Sequence, residues 1–556
     1  MSVLETLIAE LSTVCAGLPD RRKTAAREGA YSMSDIGLSA FSLFFMGSAS
    51  FLDHQRRLRE GHGRSNCETL FGIGKIPTDP HIRQMLDGAP TAAFDALFYT
   101  AIATGGVLDP FKRLDNRVLI ALDGTEHFTS RRIHCPSCST RKRADGGCEY
   151  FHAFLGASIV APGHRQVLSL PAEFIVPQDG AEKQDCERNA AKRWLARRGP
   201  AVRHLRPVFL GDDLFACQPI AAEVKAAGGN FILTCKPSSH RTIADYLHGV
   251  TLNEQRVSAV VPGKGRVSTV YRWFPAVPLR DSEDAIEVNW FSVEILNSKG
   301  KRTYFNSFVT DLEVRADTVV ELAACGRSRW KIENETFNVL KTGGYNLEHN
   351  FGHGQETLAS VLVVLNLLAF TFHAVARLAV LAWRKAVIAW PDLSVLRTFA
   401  YAHRLRGVQD VGPSASIHRG RRHPTSVNGE TQSSASRRHS GNEAQQQLRG
   451  TRAFGIAAAG DVALDTSGRI LYFRSLESRH SYFIGRAVME NTYRQPVTLE
   501  DLLNAESEVL RRIGDEQSSS GTTMSGHYSN TSGHASSGSH SSHTSAKIEK
   551  PLSPKR

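Results

Sequence analysis

The sequence predicts an α/β fold: a sheet with a parallel core and an antiparallel β insert, a helical region ahead of it and a polar extension behind. Three observations predict this. Between residues 117 and 235, apolar runs (RVLIALD, YFHAFLGASIV, QVLSLPAEFI, PVFLG, NFILTC) are broken by helical stretches at 185–198 and 219–227. Strand, helix, strand alternation is the pattern of a parallel sheet. Residues 240–312 then hold closely spaced strands, RVSTVYRWF, IEVNWFSVEIL and RTYFNSFVT, with no helix between them, as an antiparallel insert requires. Residues 1–105 carry helical patterns instead.

Composition bounds the reading. With 556 residues, the chain has room for roughly three to four domains. Apolar residues at 41% and charged residues at 22% exclude a chain disordered throughout, a collagen-like repeat and a multi-span membrane protein. The net charge of +12 suits a polyanionic partner, nucleic acid before an acidic membrane. Nine cysteines in this length do not make a disulfide scaffold. The N-terminus, MSVLETLIAELSTVC, has Glu5 and Glu10 and no basic leading region, so it does not read as a secretory signal. A cytoplasmic protein is expected.

The elements follow in order. Residues 1–110 form a helical region: LETLIAELSTV, SDIGLSAFSLFFMGSASFLDHQRRL and DPHIRQMLDGAPTAAFDALFYTAIA. It serves either as a DNA-binding domain or as a cap that only packs. Gly72-Ile-Gly74-Lys75 lacks the first glycine and the Ser or Thr of a phosphate loop, so it carries no nucleotide-binding reading. Residues 111–400 form the main domain, with the insert at about 240–312 and a long helix expected over 318–341. Thr357–Ala376 is twenty residues without a charge, long enough to span a membrane. Asn366 and His373 within it and Arg377 behind it favour a buried core helix, and no membrane association is expected.

Residues 401–450 are a basic linker. Val411–Gly450 holds six Arg, seven Ser and no Phe, Trp or Tyr, so it cannot bury a core and reads as disordered. Residues 451–514 regain pattern, with strand-like GRILYFRSL and an amphipathic helix, TLEDLLNAESEVLRRI, opened by Thr498 with Asp501 at capping-box spacing. Residues 515–556 are a Ser- and His-rich tail, expected to be disordered.

Three carboxylates stand out by position. Asp123 ends the first strand, Asp212 ends the strand expected beside it, and Glu333 lies on the helix after the insert. Strand ends on one sheet edge converge, and a helix across that edge can deliver a third acid. Acids so grouped repel unless cations sit between them, and the usual solution is two divalent ions about 3.5–4 Å apart acting on a phosphodiester. Oxygen ligands and a phosphate substrate favour Mg²⁺, with Mn²⁺ as a substitute.

Residues 115–345 resemble the catalytic core of an insertion-sequence DDE transposase with an RNase H-like fold. The pieces that match are ALDGTEHF around Asp123, FLGDDLFACQP around Asp212 and RWKIENETFNVLK around Glu333, with a β insert between the second and third acids. The family's last helix carries Tyr, two residues, Arg, three residues, Glu, six residues, Lys. Arg329 and Glu333 fit, Lys341 follows after seven residues, and Gly326 stands at the Tyr position. Glu335 competes with Glu333, but lies about 200° around an α-helix from it. Arg329, Glu333, Phe337 and Lys341 share one drifting stripe, which favours Glu333. Asp212 is preferred over its neighbour Asp213. The resemblance implies that Asp123, Asp212 and Glu333 are catalytic and hold two Mg²⁺ or Mn²⁺ ions, and that Arg329 and Lys341 contact DNA phosphates. The alternative for Arg329 and Lys341 is a pair of solvated cations. Trp330 either stacks on a base or joins the core.

Cys135-x2-Cys138-x9-Cys148-x3-His152 is compatible with a structural zinc site closing the connection between the first two strands. The alternative is three reduced thiols and a strand histidine.

The resemblance implies a DNA transposase that cleaves strands at the element's ends and transfers them into target DNA, with a homodimer in the synaptic complex. The other reading is a catalytically inactive, zinc-containing DNA-binding protein derived from a transposase, to which the unusual tail after residue 411 belongs equally well.

Overall fold

The computed structural model describes residues 2–22, 30–60, 65–73, 76–177, 185–263, 265–381, 383–384, 387, 462–464 and 470–472. The chain divides into two compact units, 1–458 and 459–556.

The first unit begins with six helices: α1 (Val3–Ala16), α2 (Met33–Phe45), α3 (Phe51–Glu60), α4 (Asn66–Thr69), α5 (Asp79–Leu86) and α6 (Asp95–Ala103). The first two start on capping boxes, Ser2 with Glu5 and Ser32 with Asp35, which satisfy backbone N–H groups that a helix start leaves orphaned.

Eleven strands form one sheet. β1 (Lys112–Arg113) turns into β2 (Arg117–Ser130), followed by β3 (Ser139–Lys142), β4 (Cys148–Ala161) and β5 (His164–Ile175). Helix α7 (Glu187–Val202) leads to β6 (Pro207–Gly211), and α8 (Gln218–Ala226) leads to β7 (Asn230–Thr234). The central order is β5-β4-β2-β6-β7, antiparallel up to β2 and parallel from β2 through β7. The parallel strands β6 and β7 are almost wholly buried apolar runs, as strands covered on both faces must be.

After α9 (Arg241–Tyr246), the strand-rich stretch is an antiparallel run of β8 (Asn253–Val261), β9 (Gly265–Pro278), β10 (Glu287–Leu296) and β11 (Arg302–Thr310). β11 returns beside β7, so this run prolongs the same sheet.

The stretch expected as a single helix over 318–341 is segmented. It runs as α10 (Val319–Arg327), a 3₁₀ turn at Ser328–Trp330, a π-helical turn at Ile332–Phe337 and α11 (Asn338–Thr342). Ser328 donates its hydroxyl to the Ala324 carbonyl at 3.0 Å, a side-chain bond that competes with regular helical pairing.

Helix α12 (Leu358–Ala379) is the apolar run, and 89% of its most apolar stretch is buried inside the fold. It packs on α1, α2, α6 and β5, so the N-terminal helices and the sheet share one hydrophobic core. Asn366 and His373 within it face a partner rather than lipid. Asn366 Nδ2 donates to the Tyr345 carbonyl at 3.0 Å, and His373 Nδ1 lies 2.8 Å from the Tyr345 hydroxyl. A largely buried ion network ties α6, β5 and α7 together. Arg198 pairs with Asp95 at 2.9 Å and with Glu173, and Arg193 pairs with Glu173 at 2.8 Å and Asp185 at 2.7 Å.

In the second unit, Val462–Leu464 and Ile470–Tyr472 form an antiparallel pair, β12 and β13. The basic linker, the amphipathic helix expected near residues 498–513 and the Ser/His-rich tail lie outside the described residues.

One side chain fixes the entry to α12. Asp87, just after α5, accepts backbone N–H bonds from Gln355, Glu356, Thr357 and Leu358 at 2.8–3.1 Å. Partial burial opposes its charge, but these four donors prevail and hold the carboxyl below its ordinary range. The carboxylate also meets the positive end of the helix dipole. Asp87→Ala is expected to cost about 1–2 kcal/mol at pH 7, measured by denaturant unfolding. Because the folded pKa is depressed, the contribution is present above the unfolded value near 4 and is lost as pH falls through the folded value. Equal stability of the two proteins at pH 7 would remove Asp87 from this role.

Candidate functional site

The sheet register brings two of the acids side by side. β2 and β6 are parallel neighbours with Ala121 opposite Leu210. Asp123 and Asp212 each stand two residues further on, side by side at the edge where the parallel pairing stops; Asp212 follows the end of β6, but Asp123, expected to end its strand, lies midway along β2, which continues to Ser130 paired with β4. Across this edge runs the segmented helix. Arg329, in its 3₁₀ turn, reaches Asp123 Oδ2 with Nη1 at 3.2 Å and Glu333 Oε1 with Nη2 at 2.6 Å. The guanidinium therefore bridges the strand acid and the helix acid. Asp123 and Arg329 are largely buried, whereas Glu333 is about half exposed, so the cluster opens to solvent on the helix side.

The electrostatics report crowding. Burial, opposed by Arg329 and reinforced by the charges of Glu333, Asp212 and Glu187, pushes the Asp123 carboxyl up to about 8. Burial also raises Asp212, against a backbone N–H from Leu214 and the charge of Arg329. Asp213 is differently employed. It accepts the Lys236 N–H at 2.6 Å and pairs with His240 at 3.1 Å, fixing the turn after β7. Burial works against its charge, yet these partners hold its carboxyl below the ordinary range. Asp212 is thus the member of the pair that shares the field of Asp123.

Glu187 is a fourth carboxylate at this edge, at the first turn of α7. A Cβ built on Gly124 would lie 2.2 Å from its Oε1, so Gly124 leaves the space that the glutamate fills. Burial first, then the charges of Asp212 and Glu126, raise its pKa. Sequence reading passed over Glu187 because an acid in a first helical turn is ordinary capping chemistry.

The helix is seated by small-residue contacts. Phe337 rests on Gly156, the residue paired with Asp123 across β2 and β4, and a Cβ there would come within 2.8 Å of the ring. Thr336 and Ser158 share a buried hydroxyl contact at 3.1 Å. At the position of the missing tyrosine, a Cβ on Gly326 would come 2.9 Å from Phe308 and 3.0 Å from Ile232. α10 lies too close to β7 and β11 for any side chain at that point. The charge of Glu335 acts on Lys331, whose pKa is otherwise pushed down by burial. Trp330 is half-buried with the Lys331 ammonium 5.1 Å from its ring centre. Lys341 pairs with Glu348 at 2.9 Å, on the segment joining α11 to α12.

A second cluster lies along the same strands. Cys135, Cys138, His152 and His353 are all buried, with one ligand atom from each within 4.8 Å of the others, and together they can hold a metal ion. Cys148, expected as a ligand, is not among them. It is exposed at the start of β4, paired with Lys142, and stands four residues from His152, about 13 Å along a strand. His353, from the segment before α12, takes its place. No spacing motif could announce a histidine 201 residues beyond His152.

No protein family matches the sequence, and no curated protein matches it. Among solved structures the chain is similar to a piggyBac transposase in a cryo-EM structure of its synaptic complex with hairpin DNA. The TM-score is 0.33 and the identity 10%, with 74% of this chain and 82% of that chain covered.

The crowding of Asp123 has a measurable sign. Its folded pKa, about 8, lies above the ordinary value of 3.8. The stabilisation from holding it protonated is complete below pH ~4 and is lost as pH rises through about 8. In buffer free of Mg²⁺ and Mn²⁺, Asp123→Asn stays neutral throughout. Its melting temperature is expected to gain on wild type steadily from pH 5 to pH 8. Parallel curves over that range would show that Asp123 does not carry the strain.

Proposed function

We propose that this chain is a DDE-type DNA transposase with an RNase H-like catalytic core, which cleaves strands at insertion-sequence ends and transfers them into target DNA. The observation that carries this reading is the convergence of Asp123, Asp212 and Glu333 from two adjacent parallel strands and a helix crossing their edge. The strand order β5-β4-β2-β6-β7, three antiparallel strands continued by two parallel ones, is the order of an RNase H-like core and supports the same reading. So does the antiparallel run between β7 and α10, which separates the second and third acids as the family's β insert does.

The donor set fits Mg²⁺ or Mn²⁺: the converging groups are carboxylates, hard ligands, and the raised pKa of Asp123 marks negative charge short of compensation. Asp123, Asp212 and Glu333 would hold two such ions, which when bound would activate a water or hydroxyl and stabilise the departing oxygen. The chain's own residues do the rest. The parallel register of β2 and β6 fixes Asp123 and Asp212 at one level, and Phe337 on Gly156 seats the helix that carries Glu333. Arg329 balances the charge of Asp123 and Glu333, and its planar fork suits a phosphate as well as a carboxylate.

The π-helical turn bears on Lys341. A π turn takes one more residue than an α turn. An extra residue taken up in the π turn at Ile332–Phe337 is compatible with the seven residues, rather than six, between Glu333 and Lys341. On this reading Lys341 and Trp330 contact DNA backbone and base. DNA binding through such cations weakens steeply with salt. Synapsis of two ends calls for a homodimer.

The test is strand cleavage on DNA carrying the element's own ends, with Mg²⁺ or Mn²⁺, for wild type beside Asp212→Ala and Glu333→Ala. Wild type is expected to cut at the ends only with metal. Each variant is expected to fall by about 100-fold or more, since each loses several kcal/mol of charge stabilisation. Binding to the ends without cutting under either metal would overturn the enzymatic reading in favour of an inactive DNA-binding descendant.

A further inference from the structure

We propose that Cys135, Cys138, His152 and His353 hold one structural Zn²⁺, which ties the connection between β2 and β4 to the segment between α11 and α12. The inference does not depend on the transposase reading, because it needs neither DNA nor the acid cluster.

The distances carry it. Zinc bonds of about 2.3 Å to sulfur and 2.0–2.1 Å to nitrogen, at tetrahedral angles, separate two sulfurs by about 3.8 Å and a sulfur from a nitrogen by about 3.5 Å. Cys135 Sγ and Cys138 Sγ are 3.9 Å apart. His152 Nε2 lies 3.5 Å from Cys135 Sγ and 3.4 Å from Cys138 Sγ, and His353 Nε2 lies 3.6 Å from Cys138 Sγ. These four distances match edges of a zinc tetrahedron, and the two remaining ligand-atom separations are within 4.8 Å. Four groups from three separate pieces of chain have no other reason to converge at those spacings.

The local chemistry agrees. Cys135-Pro136-Ser137-Cys138 is a tight turn, closed by the Cys138 N–H on the Cys135 carbonyl at 3.1 Å. The Cys135 N–H points at Cys138 Sγ from 3.4 Å, a donor suited to a thiolate. Two thiolates and two imidazoles suit zinc, whereas Mg²⁺ and Ca²⁺ require oxygen. All four ligands come from protein and all are buried, so no position is open to substrate and the site is structural. Loading releases the two thiol protons.

The consequence is mechanical. His353 sits ten residues beyond Gly343, where α11 has ended, and two before Gln355, where the Asp87 clamp begins. Zinc therefore anchors the segment that follows the Glu333 helix to the strand pair on which that helix rests.

The experiment is metal analysis of the full chain purified without chelators, for wild type, His353→Ala and Cys148→Ala. Wild type and Cys148→Ala are expected to carry about one equivalent of zinc. His353→Ala is expected to yield its zinc to a competing chelator at about 100-fold lower chelator concentration. Because His353→Ala could also misfold, wild type reconstituted with Co²⁺ gives a second readout: intense tetrahedral d–d bands with thiolate charge transfer. Less than a tenth of an equivalent of zinc with no cobalt spectrum would overturn the proposal. So would zinc loss in Cys148→Ala with retention in His353→Ala, or a Cys135–Cys138 disulfide in the purified protein.

Discussion

Confinement of like charge is the constraint around which this fold is arranged. Asp123, Asp212, Glu187 and Glu333 share one edge of the sheet, and water reaches them only in part. In bulk solvent such a group would disperse. Here the strands cannot move apart, because β2 and β6 are hydrogen-bonded neighbours in the middle of the sheet. The residual charge is met by one guanidinium, Arg329, lying between Asp123 and Glu333. A protein that sought only stability would place apolar groups there, since a buried ion pair seldom outperforms good packing. Grouped carboxylates whose pKa values burial and mutual charge raise are the pattern of a candidate functional site.

Holding the helix against that repulsion falls to packing rather than to charge. Phe337 on Gly156, the Thr336–Ser158 contact and the close approach of Gly326 to Phe308 and Ile232 all lie on the sheet side of the same segmented helix. Each relies on a missing or small side chain, so the helix lies lower on the sheet than ordinary residues would permit. The 3₁₀ and π turns follow from this seating. The backbone tightens at Arg329 and widens at Glu333, and both side chains face the acid edge while Ile332, Thr336 and Phe337 stay buried. π turns occur disproportionately at functional positions for this reason: they re-aim side chains without ending the helix.

Much of this was legible in the residues, and the failures have physical causes. The strand and helix order through residue 235 followed from apolar run lengths and alternation, which are local. Asp123 and Asp212 were conspicuous as carboxylates closing apolar runs, but only Asp212 follows a strand end: β2 continues through Asp123 to Ser130, and it is the parallel register that sets the two side by side. The break of the 318–341 helix was not legible. Every residue from Val319 to Lys341 tolerates an α-helix, and only contact with the sheet selects the 3₁₀ and π turns. Cys148 was expected in the Cys/His cluster because sequence spacing cannot show that an extended strand carries it about 13 Å away. His353 and Glu187 were missed for the converse reason: their partners are distant in sequence, and no local pattern distinguishes them from a loop histidine and a helix-start acid.

The two clusters are parts of one support. β2 carries Asp123 and, five residues on, Phe128, which is paired with His152 of the Cys/His cluster. The helix carrying Glu333 ends at Thr342, and the segment after it is held at Tyr345 by Asn366 and His373, at His353 by the cysteines and at Gln355–Leu358 by Asp87. That segment has little regular structure of its own, so its order comes from these polar contacts together with the burial of Tyr345, Leu347 and Phe351 in the core. Loosening it would not expose the acids directly. It would free the C-terminal end of the helix while Phe337 still pinned the middle, leaving Glu333 to pivot about Gly156. Repulsion from Asp123 and Asp212 would then be opposed at Glu333 by its pairing with Arg329. The polar clamps and the Cys/His cluster thus stabilise a geometry that the acid cluster itself disfavours.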